Sequence, residues 1–340
     1  MWPAASGTIR LMTHTKVEMP KDWNKRLAKL GGHAFQSSLW AEFQNAQSRQ
    51  VVMDEGQEGG SSWQWTAAIR HGRLGFNYLY AAYGPTVSDA KSLRAALKSL
   101  RHVGKEHNAD FVRFEPLGNV EIKAADLRKL GARLVADMQP PHRMVLNLTQ
   151  SEAEIRHTMS PSNRNLINTA AKRGLTFIIS DDPKDTADFL AMQHATAQRG
   201  GWKPQADSYY YQLTESLLPT GQAKLYFVEH ERQRIASAFC LDFEGKRYYI
   251  YAGTFPEQNN KLKAAIALLW WLIMDAQAKG LKAFDYGGVA PEGAPASHPW
   301  AGHTKFKKSI GGETVSSVGT WDIPLKPRKY MLYTLLKKVV

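Results

Sequence analysis

The residues whose types and spacing best suit a chemical function lie late in the sequence, between Phe284 and Gly312. A predicted strand there ends in Asp285, two glycines follow, and a Gly/Pro/Ala-rich loop leads to a short cationic segment. That segment contains Lys305, Phe306, Lys307 and Lys308. Glycines after a strand let a ligand approach the backbone, and clustered lysines concentrate positive charge. The combination suits a bulky anionic substrate, and a βα turn followed by a solvated basic helix is the alternative explanation.

The composition describes a basic, globular protein that is long enough for two domains. Of its 340 residues, 43% are hydrophobic and 22% are charged, so the chain can bury a core. Its 44 Lys and Arg residues against 31 Asp and Glu residues give a net charge of +13 with histidine neutral. This excess favours polyanionic partners such as RNA, nucleotide phosphates or an anionic membrane face.

Cysteine, histidine and hydropathy patterns restrict the class of protein further. The single Cys240 lies in an apolar run and cannot form an internal disulfide, which favours a reducing compartment. The 11 histidines show no metal-ligand spacing, so we predict no metal site and no cofactor. The sequence does not open with a signal-peptide layout, and its longest apolar run, residues 264–274, is too short to span a bilayer. We therefore expect a buried helix there and a cytoplasmic protein.

Two distant stretches of the sequence follow one plan. Each contains a strand, a tight turn, a second strand that ends in Tyr-Ala and then Pro, a long helical segment and another strand. The first stretch is Trp63–Glu115 and the second is Ile235–Tyr286, in which Leu262–Lys279 is the predicted long helix. The matched Tyr-Ala…Pro endings are separated by half of the chain. The repetition predicts a duplicated αβ domain.

Helices also precede the hairpin of each half. In the second half, Thr149 and Glu152 predict a capping box at a helix start. The order of elements resembles the N-acyltransferase (GNAT) plan, twice over. We predict an α/β (α+β) fold with two GNAT-like domains, each a mixed, mostly antiparallel sheet flanked by helices. The predicted bounds are residues 1–143, residues 144–322, and residues 323–340 as a C-terminal helix that packs back on the domains.

Six short segments, in order over most of the chain, carry a resemblance to a known family. They are Gln36-Ser37-Ser38-Leu39-Trp40 with Phe43, Val112-Arg113-Phe114-Glu115-Pro116, Asn163-Arg164-Asn165-Leu166-Ile167, Lys172-Arg173-Gly174, Thr196 to Arg199 before Tyr209-Tyr210, and Phe284 to Gly312. Together they resemble the FemABX family of peptidoglycan bridge-forming aminoacyltransferases. Some members carry a coiled-coil insertion in the second domain. No charged heptad stretch occurs here, so we expect none.

The resemblance implies two GNAT-like domains that transfer an amino acid from aminoacyl-tRNA to the stem-peptide amine of a cell-wall precursor. The acceptor would be a UDP-linked or lipid-linked muramyl peptide, and a lipid-linked one would bring the protein to the inner membrane face. The basic net charge agrees with a tRNA partner, because the RNA backbone is bound through Lys and Arg. We expect a monomer.

The resemblance also implies catalytic and tRNA-binding residues. It places a lysine near the tRNA terminus at Lys307, where a fixed cation would stabilise the oxyanion of a tetrahedral intermediate. Asp285 is the best-placed carboxylate to take a proton from the attacking amine, with substrate-assisted proton transfer as the alternative. We expect Lys305, Phe306 and Lys308 to bind tRNA. The aromatic candidates for stacking on its splayed bases are Trp300, Phe306 and Tyr330.

Eight further residues match positions near the acceptor groove of the family. They are Trp40, Gln44, Tyr80 and Tyr83 in the first half, and Arg199, Lys203, Tyr209 and Tyr251 in the second. Arg, Lys and tyrosine hydroxyls suit the phosphates, sugars and carboxylate of such an acceptor. The match at Lys203 is loose, because the family often has arginine slightly later, where this chain has Gln205. Structural tyrosines at hairpin ends are the alternative.

Two other functions compete with this interpretation. An N-acyltransferase that uses acyl-coenzyme A would share the fold, but it cradles the pyrophosphate on a glycine-rich loop at the start of the long helix. Here the comparable stretch, Gln258 to Ala264, has lysine in place of both glycines, and Thr86 to Leu93 in the first half contains no glycine. A non-catalytic RNA-binding protein would explain the charge but not the two-fold plan.

Overall fold

The computed structural model describes residues 19–72, 75–118 and 120–337. The chain forms two compact units, residues 1–141 together with 316–340, and residues 142–315. The N-terminal segment to which the signal-peptide expectation refers, residues 1–18, lies outside the described residues.

The first unit is built on a mixed, mostly antiparallel sheet. Its helices are α1 (Trp23–Lys29), α2 (Ser38–Ala46), α3 (Ala90–Glu106), α4 (Ala124–Lys129) and α12 (Pro327–Leu336). Its strands are β1 (Val51–Glu58), β2 (Ser61–His71), β3 (Asn77–Ala81), β4 (Thr86–Val87), β5 (Phe111–Phe114), β6 (Arg133–Leu134) and β14 (Trp321–Pro324). The strand order is β1-β2-β3-β5-β14-β6, with β4 paired to β2. Strands β3 and β5 are parallel, whereas β2 pairs antiparallel with β1 and with β3.

Helix α3 shows why this sequence folds locally as it does. Its apolar residues recur every three or four positions, from Leu93 to Val103, and they are buried in the core of the first unit. Asp89 caps the helix by accepting a hydrogen bond from the N–H of Ser92 at 2.7 Å, and the Ser92 hydroxyl accepts one from the N–H of Asp89. This reciprocal capping box fixes the helix start.

Strand β14 joins a distant part of the chain to the first sheet. Trp321 pairs with Phe114 and Pro324 pairs with Phe111, which inserts β14 between β5 and β6. The Trp321 side chain is fully buried. Trp321 and Asp322, which were expected in the second domain, therefore belong with the first unit, because they pair with β5 and β6 and are buried there.

The second unit holds a second mixed sheet. Its helices are α5 (Glu152–Thr158), α6 (Pro161–Asn168), α7 (Thr186–Gly200), α8 (Asp207–Leu217), α9 (Pro256–Leu262), α10 (Ala264–Ala278) and α11 (Ala301–Lys308). Its strands are β7 (His142–Asn147), β8 (Thr176–Ser180), β9 (Ala223–His230), β10 (Gln233–Phe243), β11 (Lys246–Thr254), β12 (Ala283–Gly288) and β13 (Glu313–Ser316). The strand order is β13-β7-β12-β11-β10-β9-β8, and β11 and β12 are parallel.

The two sheets share one order of strands, which confirms the predicted tandem fold. In both, a three-stranded meander is followed by a parallel neighbour, an antiparallel strand from a distant segment and a short edge strand. This order is β1-β2-β3-β5-β14-β6 in the first sheet and β9-β10-β11-β12-β7-β13 in the second. The predicted positions of Cys240 in a buried strand and of the run 264–274 in a buried helix are also confirmed. Within the described residues, every helix is too short or too polar to cross a bilayer.

Two local predictions were wrong. The long helix predicted from Leu262 begins at Ala264, because Lys263 adopts a left-handed conformation with φ of 53° and separates α9 from α10. The capping box of α5 uses Ser151 and Glu154, not the pair two residues earlier. The hydroxyl of Thr149 instead donates to the Asn147 carboxamide oxygen at 2.8 Å, so it is engaged in a turn before the helix.

Candidate active site

Lys307 is held against the end of a central strand of the second sheet. Its Nζ donates a hydrogen bond to the carbonyl oxygen of Gly288 at 2.6 Å. Helix α11 is itself tied to the loop after β12, because the Thr304 hydroxyl accepts from the N–H of Ala290 at 2.8 Å. Phe306 packs against the core of the second unit. These contacts give the ammonium group a fixed position.

The surroundings of Lys307 tune its acidity. Burial lowers the pKa of the ammonium to about 8, because a charged group is disfavoured away from water, and the nearby carboxylate of Asp285 opposes that shift. With a pKa of about 8, Lys307 is mostly protonated at pH 7, yet it gives up its proton far more readily than an exposed lysine. It can therefore act both as a cation and as a proton donor.

Asp285 is deeply buried and engaged on both oxygens. One oxygen forms an ion pair with Arg143 of the neighbouring strand β7. The other accepts a hydrogen bond at 2.8 Å from the N–H of Gly287, whose φ of 74° suits glycine. The side chain of Lys246 also lies near Asp285. Burial lowers the pKa of Lys246, and the negative charge of Asp285 opposes that shift. This arrangement favours a positioning role for Asp285, and its role as a base stays a prediction.

Strands β11 and β12 stop pairing before the point at which Lys307 contacts β12. Strands β11 and β12 pair only from Lys246 to Tyr248 against Ala283 to Asp285, although β11 continues to Thr254 and β12 to Gly288. Lys307 thus contacts β12 beyond the last residue that β11 pairs with. Separation of two parallel strands leaves backbone groups available to a substrate, which places the candidate site at this opening.

His303 joins this site, although the sequence analysis did not identify it. It lies four residues before Lys307 on α11, so the two side chains share one helix face. His303 reaches solvent, but partial desolvation lowers the pKa of its imidazole, and the positive charges of Lys307 and Arg199 lower it further. The imidazole is therefore neutral at pH 7. The i, i+4 spacing of His and Lys was the available signal in the sequence.

Three predicted acceptor-binding residues gather at the end of β11. The hydroxyls of Tyr209 on α8 and Tyr251 on β11 are 2.9 Å apart. Burial raises the pKa of the Tyr251 hydroxyl well above its usual value, so it stays a neutral hydrogen-bonding group. Arg199 on α7 donates to the hydroxyl of Thr254 at 3.4 Å. Lys203 lies apart, exposed beside Trp202 in a shallow cavity of 480 Å³.

The four predicted acceptor residues of the first half are buried within the first unit. The ring of Trp40 stacks on Phe35 with centroids 3.9 Å apart, and the Gln44 carbonyl accepts from Arg49 at 3.0 Å. The Tyr80 hydroxyl donates to Glu115 at 2.8 Å, and the Tyr83 hydroxyl donates to the Pro140 carbonyl at 3.2 Å. None is more than 7% exposed. These contacts support the structural alternative, and a substrate role for these residues stays a prediction.

The residues predicted to bind tRNA divide between surface and core. Lys305 and Lys308 are exposed and line a 470 Å³ cavity between α11 and the Gly/Pro/Ala-rich loop. Trp300, at the start of α11, is 37% exposed. Phe306 is partly buried against the core. Tyr330 is in the first unit, where it is 2% exposed and donates to Asp322 at 3.0 Å, so the prediction that it stacks on bases was wrong.

At the helix starts where coenzyme A would bind in an N-acyltransferase, a side chain of the protein itself accepts from a first-turn amide. At α10, the N–H of Ala265 donates to the side-chain oxygen of Asn259 at 2.9 Å. The segment before α10 forms helix α9 and not a loop. At α3, Asp89 caps the first turn, and hydrogen bonds from Ser92 and neighbouring serines lower its pKa to about 2. An ionised carboxylate at that position repels a pyrophosphate.

The fold and this site define a tandem GNAT-like protein. Residues 160–308 match a family model described as an acetyltransferase (GNAT) domain. A solved structure described as FemX superposes with a TM-score of 0.75 at 17% identity, covering 95% of this chain and 99% of that one. A tandem GNAT protein from the clavulanic acid biosynthesis pathway gives a TM-score of 0.54 at 11% identity, covering 93% and 98%.

Part of the chain is also similar in sequence to a curated protein. The chain is 25% identical over 167 residues to the lipid II:glycine glycyltransferase of Staphylococcus saprophyticus, which is 45% of this chain and 40% of that protein. The chain thus spans about two fifths of the length of the curated relatives it matches. The resemblance to the FemABX family is confirmed as a similarity, in sequence to part of a lipid II:glycine glycyltransferase and in fold to FemX.

Proposed function

We propose that this protein transfers an amino acid from an aminoacyl-tRNA to the stem-peptide amine of a peptidoglycan precursor. The observation that carries the proposal is the Lys307 ammonium, fixed on the Gly288 carbonyl at the opening between β11 and β12. A preorganised cation at such a position is what an oxyanion intermediate requires. The homology to a lipid II:glycine glycyltransferase supports the same reaction. Since charged tRNA is a cytoplasmic substrate, we propose action there, by a monomer.

The chemistry requires one bond to form and one to break. The acceptor amine attacks the ester carbonyl carbon of the aminoacyl group, and the new C–N bond gives a tetrahedral intermediate with a negatively charged oxygen. Lys307 stabilises that oxygen. The ester C–O bond then breaks, and the ribose hydroxyl of the tRNA leaves with a proton from Lys307, whose pKa of about 8 suits donation.

The proton of the attacking amine needs an acceptor. We propose His303, because its pKa is lowered and its neutral ring lies on the same face of α11 as Lys307. Transfer of that proton back to Lys307 would reset the site. Asp285 instead holds Arg143 and the irregular end of β12 at Gly287 in place.

The tRNA and most of the acceptor would be bound by different parts of the second unit. The exposed Lys305 and Lys308, with Phe306 between them, would hold the tRNA acceptor end. Arg199, Tyr209 and Tyr251 at the end of β11 would hold the muramyl-peptide acceptor, with Lys203 contributing from the adjacent loop. A contact of the acceptor with Trp40, Gln44, Tyr80 or Tyr83 is part of the same proposal.

Aminoacyl-tRNA is the proposed donor because the loops before α3 and α10 lack the glycines that would let backbone amides bind a pyrophosphate. The test is a side-by-side assay of purified protein with charged tRNA and with aminoacyl-coenzyme A, using UDP-linked and lipid-linked muramyl pentapeptides as acceptors. We expect label to reach an acceptor from tRNA only. Transfer only from the thioester, or no transfer from a complete set of charged tRNAs, would reject the proposal.

A further inference from the structure

The C-terminal helix α12 presents an apolar face to solvent. Met331, Leu332 and Leu335 are 60%, 49% and 55% exposed. They are three of the ten large hydrophobic side chains that are exposed among the described residues, and they lie within five positions of one helix. At about 100° per residue they fall on one side of it, together with the exposed Arg328. Such a concentration differs from the singly scattered apolar residues of an ordinary surface.

The opposite face of α12 is firmly attached to the first unit. Tyr330 is buried, and Tyr333 packs on Phe111 with ring centroids 4.9 Å apart. The ammonium of Lys329 lies 3.2 Å from both carboxylate oxygens of Asp110. The exposed face is therefore presented by a docked helix.

The segment that carries this apolar face is rich in positive charge. Residues 323–340 contain five Lys and Arg residues and no Asp or Glu. Arg328 shares the face, and Lys337 is exposed at the end of the helix. The charge of the whole chain has the same sign. An apolar helix face on a cationic segment that has no acidic residue is the pattern of segments that lie at the surface of an anionic bilayer.

We propose that α12 docks on an anionic lipid bilayer, with Met331, Leu332 and Leu335 entering the headgroup region and Arg328 and Lys337 contacting lipid phosphates. A second copy of this chain fits the surface less well, because an isologous dimer would bring the same cations together. The inference does not depend on the proposed aminoacyl transfer. It concerns the first unit, whereas the candidate active site belongs to the second.

Vesicle binding tests the proposal without donor or acceptor. The full chain is mixed with large unilamellar vesicles in which about one third of the lipid is phosphatidylglycerol and the rest is phosphatidylcholine, and the bound fraction is measured by flotation. We expect clear binding that falls at least tenfold in pure phosphatidylcholine or at high salt. The triple variant M331S/L332S/L335S should lose at least tenfold in partition coefficient, and R328Q/K337Q should lose a smaller but measurable part.

Matched controls make the result specific. Ile179→Ser removes a side chain of similar exposure, 43%, from the second unit and should bind vesicles like the unaltered chain. All substituted side chains are exposed, so circular dichroism should show folded variants. No binding to anionic vesicles, or equal binding by the triple Ser variant, overturns the proposal. A lipid-independent dimer that the triple Ser variant abolishes in sedimentation also overturns it, in favour of self-association.

Discussion

A lysine next to a carbonyl oxygen keeps a defined position only when the rest of its stem is packed. In this protein, α11 supplies that packing, because Phe306 lies against the core and Thr304 anchors the helix to the loop after β12. Burial then makes the charge of Lys307 easier to lose, which lowers its pKa to about 8. The same contacts that position the ammonium thus prepare it to donate a proton.

Replacing Lys307 should affect the reaction step more than substrate binding. We expect Lys307→Met to lower kcat by about 10²–10³-fold with little change in KM for either substrate, since removal of one oxyanion donor costs about that much. Lys305→Met, on the same helix but exposed, is the matched control and should mainly raise KM for charged tRNA. Equal losses in kcat and in affinity for Lys307→Met would assign it to substrate positioning.

The pH profile should report both titrating groups. Lys307 must be protonated, so activity should fall as the pH rises through about 8. His303 must be neutral, and its pKa is lowered, so activity should rise as the pH increases through a value below its usual 6.5. In His303→Gln the acidic limb should disappear while the alkaline limb remains. An unchanged acidic limb in that variant would show that another group accepts the amine proton.

The site was partly predictable from residue types. The region containing Lys307 and Asp285 was recognised because lysines, glycines and a strand-end carboxylate stand out in sequence. The contact from Lys307 to Gly288 and the pair between Asp285 and Arg143 depend on strands that are distant in sequence. Their roles in the reaction stay predictions.

At the scale of elements, a buried ion pair connects β5 and β14. Arg113 donates two hydrogen bonds of 2.8 Å to the carboxylate of Asp322, and both side chains are almost fully buried. The Tyr330 hydroxyl donates to the same carboxylate at 3.0 Å. Arg113, the arginine of the predicted Arg-x-Glu-Pro segment, therefore has a structural role, because it links two strands of the first sheet.

Removing one partner of this pair should destabilise the first unit. Asp322→Asn leaves the Arg113 charge buried without its counterion, which costs about 3–5 kcal/mol. Urea unfolding followed by tryptophan fluorescence is the measurement, because Trp321 is in the same strand. Asp126→Asn, at an exposed pair with Lys129, should change stability by less than about 1 kcal/mol. Similar effects of the two substitutions would contradict the assignment.

Periodicity predicted most elements, and the errors arose where local signals overlap. Helix α3 and the hairpins of both sheets follow from clear helical and alternating patterns. At the start of α5, Thr149 and Ser151 each precede a glutamate by three residues, and only the turn made by Asn147 selects the second. The break at Lys263 has no glycine or proline to mark it. The pairing of β14 with β5 is too distant in sequence for local pattern to reveal.

At the scale of the whole molecule, net charge should govern tRNA binding. With a charge of +13, affinity should fall linearly on a log–log plot against salt concentration. Lys305→Gln with Lys308→Gln should lower the magnitude of the slope by roughly 1.4–1.8, since each phosphate contact contributes about 0.7–0.9. Filter binding over a salt series of about 50 to 200 mM would measure it. An unchanged slope would place the RNA on another surface.

The position of β14 has a consequence during synthesis on the ribosome. Arg113 and Asp322 are 209 residues apart, so after β5 has been made the first sheet lacks an internal strand until about 200 further residues have been translated. At about 5–20 residues per second, that wait is roughly 10–40 s. The continuous second unit, residues 142–315, is translated in full during this interval. Of the two units, the one whose translation starts earlier is therefore completed later, and its strand β5 has to be kept from mispairing while the nascent chain grows.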